Sequence, residues 1–288
     1  MHIVLGVTGH VGSVVAAQLL EKGEEVAVVV RDEKKGDDWA QRGAKVVVAD
    51  VEDEESLRRA FSSGDRLFMM LPPGDVGKDA LREEYKILDN YHAALPDSGV
   101  KKIVGLSSYG AQISSGTGNL LASHRMEHLF ADLPLKKSFV RPAYYFSNWD
   151  ASLETAQKEG VVHTFFPPDL AIPMVAPQDI GELIARVMVE PLDTEAIYQV
   201  EGPEHYSSLD VAEAFSAALG KKVEAVETKP SGWRQAMLGI GFSQATADAF
   251  IAMTMSVVES GAGADQSFPV EKGDISLQQY VEELARQK

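Results

Sequence analysis

The sequence predicts an α/β fold, a doubly wound parallel sheet followed by a smaller carboxyl-terminal α/β lobe. Three observations lead there. Residues 2–5 form a short apolar run that passes through Gly6-x-x-Gly9-x-x-Gly12 into a segment whose Val11, Val14, Val15 and Leu19 recur at helical spacing. From residue 1 to about 140, short β-rich runs alternate with helical patterns, the order of elements found when parallel strands are covered on both faces. Past that point the alternation loosens, which places a first domain at residues 1–140 and the smaller lobe at 141–288, with some segments of the second returning to the main sheet.

The elements follow in order. Residues 25–30 read as the second strand, 44–49 as the third, 66–71 as the fourth and Lys102–Leu106 as the fifth. Between them Glu54–Phe61, 79–95 and 122–133 carry helical periodicity. The second half offers a strand at 138–140, a helix at Pro177–Val189, a strand at 197–200 and a helix over 207–219, with Ser208 as its cap ahead of Asp210. One apolar, methionine-bearing helix is expected across 233–258 and a closing helix at Leu277–Arg286, with the glycine-rich stretch 260–264 as a loop.

Ligands on such sheets lie beyond the carboxyl ends of the strands, so the residues just after each strand are the candidates for function. The opening glycines, with Thr8, His10 and Val11 among them, read as a dinucleotide cradle of Rossmann type. Gly6 permits the tight turn, Gly9 lets backbone approach a pyrophosphate, and Gly12 lets helix pack on strand, while the helix amino terminus offers unpaired N–H groups and a positive dipole end. Where NAD-selective folds carry an acidic residue, about 20 residues on, stands Arg31, whose guanidinium suits the extra phosphate of NADP. Asp32 follows and keeps NAD open. Asp50, closing VVVAD, is placed either for the adenine edge or to cap the next turn; Val51 and the Leu71, Pro72, Pro73 turn complete the expected cofactor wall.

Composition narrows the classes. An apolar fraction of 45% supplies a sizeable core, and no cysteine means no disulfide, thiolate nucleophile or cysteine-based metal site. A formal charge of −16 repels nucleic-acid phosphate, and no basic patch with interleaved aromatics offsets it. No stretch reaches the roughly 18 consecutive apolar residues of a membrane helix, and the first strand starts at residue 2, so neither a membrane span nor a signal peptide is expected and the cytoplasm is the predicted location. Assembly is left open, a homodimer included.

With the glycine signature, Arg31, VVVAD, the LPP turn, GVKKIVGLSS and VRPAYYFSNW in view, the chain resembles the NmrA-like branch of the atypical short-chain dehydrogenases/reductases. The likeness runs from residue 1 to about 220, taking in PMVAPQDIGELIA and YQVEGPEHYSSLDVAEAFSAALG, and the remainder carries little signature. It implies an NAD(P)-binding protein: an NADPH-dependent oxidoreductase passing hydride to a small conjugated acceptor such as a quinone, or else a non-catalytic NADP(H) sensor acting through a protein partner. One departure stands out. The Tyr-x-x-x-Lys pair, in which lysine lowers the phenol's pKa so that it can protonate a carbonyl, occurs nowhere in this sequence, which argues against a sugar epimerase.

Reduction of a quinone asks less of the protein, because the acceptor is already electrophilic. The resemblance puts Ser107 where a hydroxyl faces the nicotinamide, and Tyr109 or His124 can supply a proton. Tyr144, Tyr145, Phe146 and Trp149 offer flat surfaces to an aromatic substrate. Two rival spellings are set aside: His124-x-x-Glu127-His128 echoes a zinc-peptidase helix, but the reductase fold already accounts for that helix and no metal is expected; the run from Gly105 lacks the second glycine of a hydrolase elbow.

Overall fold

A computed structural model describes residues 1–260 and 263–286; residues 261 and 262 of the expected 260–264 loop lie outside them. The first half reads β1 (His2–Val4), α1 (His10–Glu21), β2 (Val26–Val30), α2 (Asp37–Gln41), β3 (Lys45–Val48), α3 (Glu54–Phe61), β4 (Arg66–Met69), α4 (Ala80–Ala94), β5 (Lys102–Leu106), α5 (Leu120–Leu129) and β6 (Lys136–Pro142). The second half is β7 (Tyr144–Tyr145), α6 (Ser152–Glu159), β8 (Val161–Thr164), β9 (Ile172–Val175), α7 (Pro177–Val189), β10 (Ile197–Glu201), β11 (His205–Tyr206), α8 (Ser208–Leu219), β12 (Glu224–Glu227), α9 (Pro230–Gly239), α10 (Gln244–Ser260), β13 (Val270–Lys272) and α11 (Leu277–Arg286).

Eight strands build one sheet in the order β13-β10-β6-β5-β4-β1-β2-β3, with every pairing parallel. This is the doubly wound sheet, crossing over where β1 lies between β4 and β2. Its centre is apolar on both faces: all five residues of β2, Val-Ala-Val-Val-Val, are buried. Val28 and Val30 join Val15, Leu19, Ile180 and Ile184 beneath α1 and α7. Val29 turns to the opposite face, where α3, α4 and α5 contribute Leu57, Leu88, Tyr91 and Met126. A third core, around Phe146, Phe215 and Tyr280, belongs to the smaller lobe.

α7, β10 and β13 lie past residue 141 yet build the main sheet and its cover. The carboxyl end of α7 is fixed by two cations from the strands: Arg66 donates to the carbonyls of Met188 and Glu190 at 2.7 and 2.5 Å, and the fully buried Lys102 reaches those of Val187 and Pro191 at 3.4 Å. Arg66 thereby serves carbonyls at and just past the end of the helix, where the intrahelical ladder runs out, while those of Val187 and Pro191 also accept from the Glu190 and Thr194 amides.

Two local expectations are corrected. The cap of α8 is Ser207 rather than Ser208, and it exchanges hydrogen bonds with Asp210 as a capping box, while Ser208 is buried and donates to Thr164. The stretch 233–258 is two helices, α9 and α10, parted at Gly241 with φ +95°. Among the described residues no helix is long and apolar enough to cross a membrane.

Candidate functional site

The opening turn has the shape its glycines suggested. Gly6 takes φ +70°, and a Cβ on Gly12 would stand 2.3 Å from the Gly6 carbonyl oxygen and 2.8 Å from that of Leu5, so helix and strand meet backbone to backbone. Gly9 caps α1 in extended conformation; it brings no side-chain acceptor, and the first turn holds no acidic residue. A Cβ there would touch only the Gly6 carbonyl oxygen, at 3.5 Å. The helix start is thus an anion seat whose donors no side chain claims, and a diphosphate fits it. Thr8, Gly9 and His10 are exposed at its edge. Val11 is buried in the core, so only its main chain can serve a ligand. The His10 ring lies 3.7 Å from Asp150.

At the end of β2, Arg31 is exposed and enters no ion pair among the described residues. Asp32 Oδ1 accepts from the Lys34 amide at 3.1 Å, capping a short 3-10 turn over Glu33–Gly36, and the carboxylate stays exposed. That turn adds Lys34 and Lys35, both exposed, beside Arg31. Sequence reasoning overlooked these lysines, although they lie within four residues of the arginine. Asp50 accepts from the Glu52 amide at 3.0 Å, which is the turn-capping role; its side chain stays exposed and Val51 is half-buried.

After β4, Leu71 and Pro72 are half-buried and Pro73 exposed. Behind this turn stands Glu84, which shares the inner face of α4 with Ile87, Leu88 and Tyr91. Burial pushes its carboxyl up to about 7, against a hydrogen bond from the Gly74 amide that works the other way.

Ser107 follows β5, and its hydroxyl donates to Glu127 Oε1 at 2.5 Å. Glu127 is gripped by Arg141, Nε to Oε1 at 2.8 Å and Nη2 to Oε2 at 2.5 Å, and Arg141 Nη1 reaches Asp265 at 3.3 Å. Both side chains of the Glu127–Arg141 pair are 4% exposed. Burial works to lower the arginine pKa, but Glu127 and Asp265 together raise it, so the guanidinium stays charged. Sequence reasoning reads Glu127 only as part of a metal-like spelling, because its partners Ser107 and Arg141 follow β5 and lie on β6, distant in sequence.

Tyr109 and His124 are both tied down. The buried Tyr109 hydroxyl donates to Glu201 Oε2 at 3.2 Å, and burial followed by the neighbouring carboxylate pushes its pKa far above the ordinary phenol value, so it holds its proton. Burial works to raise the Glu201 carboxyl, but Lys272 and His205 bring it below its usual range. His124 Nδ1 donates to the Ala111 carbonyl at 2.8 Å, which leaves Nε2 as the nitrogen able to exchange a proton. His128 Nδ1 donates to the His124 carbonyl at 2.7 Å, and the two rings lie 4.3 Å apart. Among the described residues no three histidine, aspartate or glutamate side chains gather as metal ligands, and Glu127 is spent on Arg141 and Ser107.

The four aromatic candidates divide. Tyr144 and Tyr145 are half-buried on β7; burial pushes the Tyr144 hydroxyl up to about 12, against a hydrogen bond with Asn148. Phe146 is fully buried between Tyr206 and Tyr280, and Trp149 is 5% exposed in the same core. These two hold the small lobe together. A second set of rings comes from elements whose partners are distant in sequence: Phe165 meets Phe250 at 5.8 Å and Trp233 at 6.2 Å, and Phe242 meets Phe250 at 6.0 Å. Phe165, Phe242 and Phe250 are half-buried. The hairpin of α9 and α10 that carries most of them is clasped to the loop after β4. Ser243 N donates to the Val76 carbonyl at 2.7 Å, Thr246 Oγ1 donates to that of Lys78 at 2.7 Å and accepts from Ala80 N at 3.1 Å.

The sequence matches the NmrA-like family over residues 2–282. It is 26% identical over 253 residues to the NAD(P)H azoreductase of Xenophilus azovorans, spanning 86% of this chain and 84% of that one. It is 24% identical over 253 residues to quinone oxidoreductase 2 of Escherichia coli, spanning 86% and 85%. Among solved structures, the Citrobacter triphenylmethane reductase complexed with NADP(H) superposes with a TM-score of 0.81 at 21% identity, covering 99% of this chain and 100% of that one.

Proposed function

The chain belongs to the NmrA-like family, and from that premise we propose that it is an NADPH-dependent oxidoreductase acting on a small conjugated acceptor, a quinone for preference. Residues 1–140 hold the cofactor and residues 141–288 supply most of the acceptor's surroundings. The observation that carries this reading is the pairing of the Gly6, Gly9, Gly12 cradle with a cationic strand end in which Arg31, Lys34 and Lys35 are exposed and outnumber Asp32, one oxygen of which caps its own turn. A carboxylate free to hold ribose hydroxyls would favour NAD; an unpaired guanidinium beside two ammonium groups favours the additional phosphate.

When bound, NADPH supplies the hydride. The chain's own residues bind and orient. The main chain at the start of α1 holds the diphosphate, the turn from Leu71 to Pro73 bounds the cofactor, and Tyr144 and Tyr145 present ring surface to a flat acceptor. With Tyr109 bound to Glu201, proton supply falls to His124 at Nε2 or to solvent. An acceptor whose reduced form is a stabilised phenolate suits a site built this way, since it needs no strong acid at the moment of transfer. The relatives named for azo, quinone and triphenylmethane reduction fall in the same class of conjugated acceptors.

The test is the loss of NADPH absorbance when purified protein meets a panel of benzoquinones and naphthoquinones. Steady turnover with at least one member is expected. Tight NADPH binding with no turnover across the panel contradicts the reading and returns the sensor in its place.

A further inference from the structure

We infer that Glu127 is a positioning residue that makes Ser107 a hydrogen-bond acceptor for the carboxamide NH2 of the nicotinamide. The inference rests on the proposed role of NADPH and goes further by assigning a polarity to the serine.

The argument is one of donor and acceptor counting. A serine hydroxyl has one proton and two lone pairs. Here the proton is committed: Oγ donates to Glu127 Oε1 at 2.5 Å, and that carboxylate cannot turn away, because Arg141 grips both of its oxygens from a buried position and is itself held by Asp265. Both carboxylate oxygens already accept from the guanidinium, so the serine is the donor of this bond and not its acceptor. What Ser107 has left to offer a ligand is a pair of lone pairs. It is 5% exposed at the carboxyl end of β5, where α/β sheets receive their ligands, and its amide is fixed to the Val140 carbonyl at 2.8 Å. An acceptor with no proton to give cannot polarise a substrate carbonyl. It calls for a donor, which the carboxamide nitrogen at the reacting end of the cofactor always is; a ribose hydroxyl can donate as well, and the comparison of carboxamide with acetyl coenzyme below separates the two. Glu127, Arg141 and Asp265 would thereby fix the plane of the nicotinamide through one oxygen atom.

The experiment is a calorimetric comparison of NADP+ with its 3-acetylpyridine analogue, in which a methyl group replaces the amide nitrogen. Wild type should prefer NADP+ by about tenfold. Ser107→Ala, which leaves the buried ion pair intact, should lose that preference. Glu127→Gln should retain it, since one amide oxygen in the place of Oε1 still accepts from Ser107 and from Arg141 Nε. The double variant Glu127→Met with Arg141→Met, which replaces the pair by apolar groups of similar size, frees the serine proton to turn toward either ligand and should bring the ratio below about threefold. A wild-type ratio near one, or a ratio unchanged in Ser107→Ala, overturns the inference while leaving coenzyme binding in place. Failure of both coenzymes to bind wild type overturns the proposed function instead.

Discussion

On the proposed function, Arg31 is the residue on which cofactor choice turns. Asp32 is held by the Lys34 amide, so the strand end presents cations to a ligand. Arg31→Ala should weaken NADPH by roughly tenfold to a hundredfold and leave NADH little changed; equal losses in a titration of both coenzymes would refute the assignment. Glu84 gives a pH signature. Burial raises its folded pKa to about 7 from an ordinary 4.5, so the fold favours the protonated carboxyl. That contribution is complete below about pH 4.5 and is lost as pH rises through about 7. Glu84→Gln, neutral throughout, should melt a few degrees above wild type at pH 8.5, with a smaller gap at pH 5.5. Identical melting differences at both pH values would contradict this. At this scale the sequence was partly legible. Gly6, Gly9, Gly12 and Arg31 are picked out by local spacing, and the structure puts Gly6 and Arg31 just past β1 and β2, Gly9 at the cap of α1 and Gly12 in its first turn. Tyr109 and His124 were chosen for chemistry alone. Their partners, Glu201 and the Ala111 carbonyl, are set by packing that spacing cannot show.

Among elements, the α9–α10 hairpin has the clearest experimental handle. Gly118, ahead of α5, takes φ +54°, and a Cβ there would lie 1.8 Å from the Ala249 carbonyl oxygen. Gly118→Ala should therefore displace α10 and shed its contact with the loop after β4. Thr246→Val is the milder probe: it removes the two bonds to Lys78 O and Ala80 N and should cost about 1–2 kcal/mol. Hydrogen exchange across residues 71–80 should rise in both variants, and unchanged protection would show that the hairpin does not hold the loop. Long periodic elements such as α7 and α11 were legible end to end, because an apolar stripe repeats over several turns. Short ones were not. β7 and β11 have two residues each and β13 three, too few for a period to register, and their strand character comes from partners across the sheet. The split of 233–258 turned on Gly241, whose left-handed conformation ends a run that reads as continuous apolar helix.

For the whole molecule, the opening β-α unit and the alternation after it led to a doubly wound sheet, and the eight parallel strands bear that out. The return of β10 and β13 to extend it beyond β6 depends on pairings between residues about sixty or more positions apart, such as Phe139 with Ile197 and Gln199 with Val270; no local pattern encodes them. This return also brings Glu201 and Asp265 beside Tyr109 and Arg141. Glu127 and Arg141 beside Ser107 come from α5 and β6, and the late part of the chain adds Asp265 behind Arg141 and Glu201 behind Tyr109. On the proposed function, the cradle and its cationic rim bind NADPH. Isothermal calorimetry of the purified protein should show saturable NADPH binding at micromolar concentration, at least tenfold tighter than NADH; no heat with either coenzyme at millimolar concentration would overturn that binding.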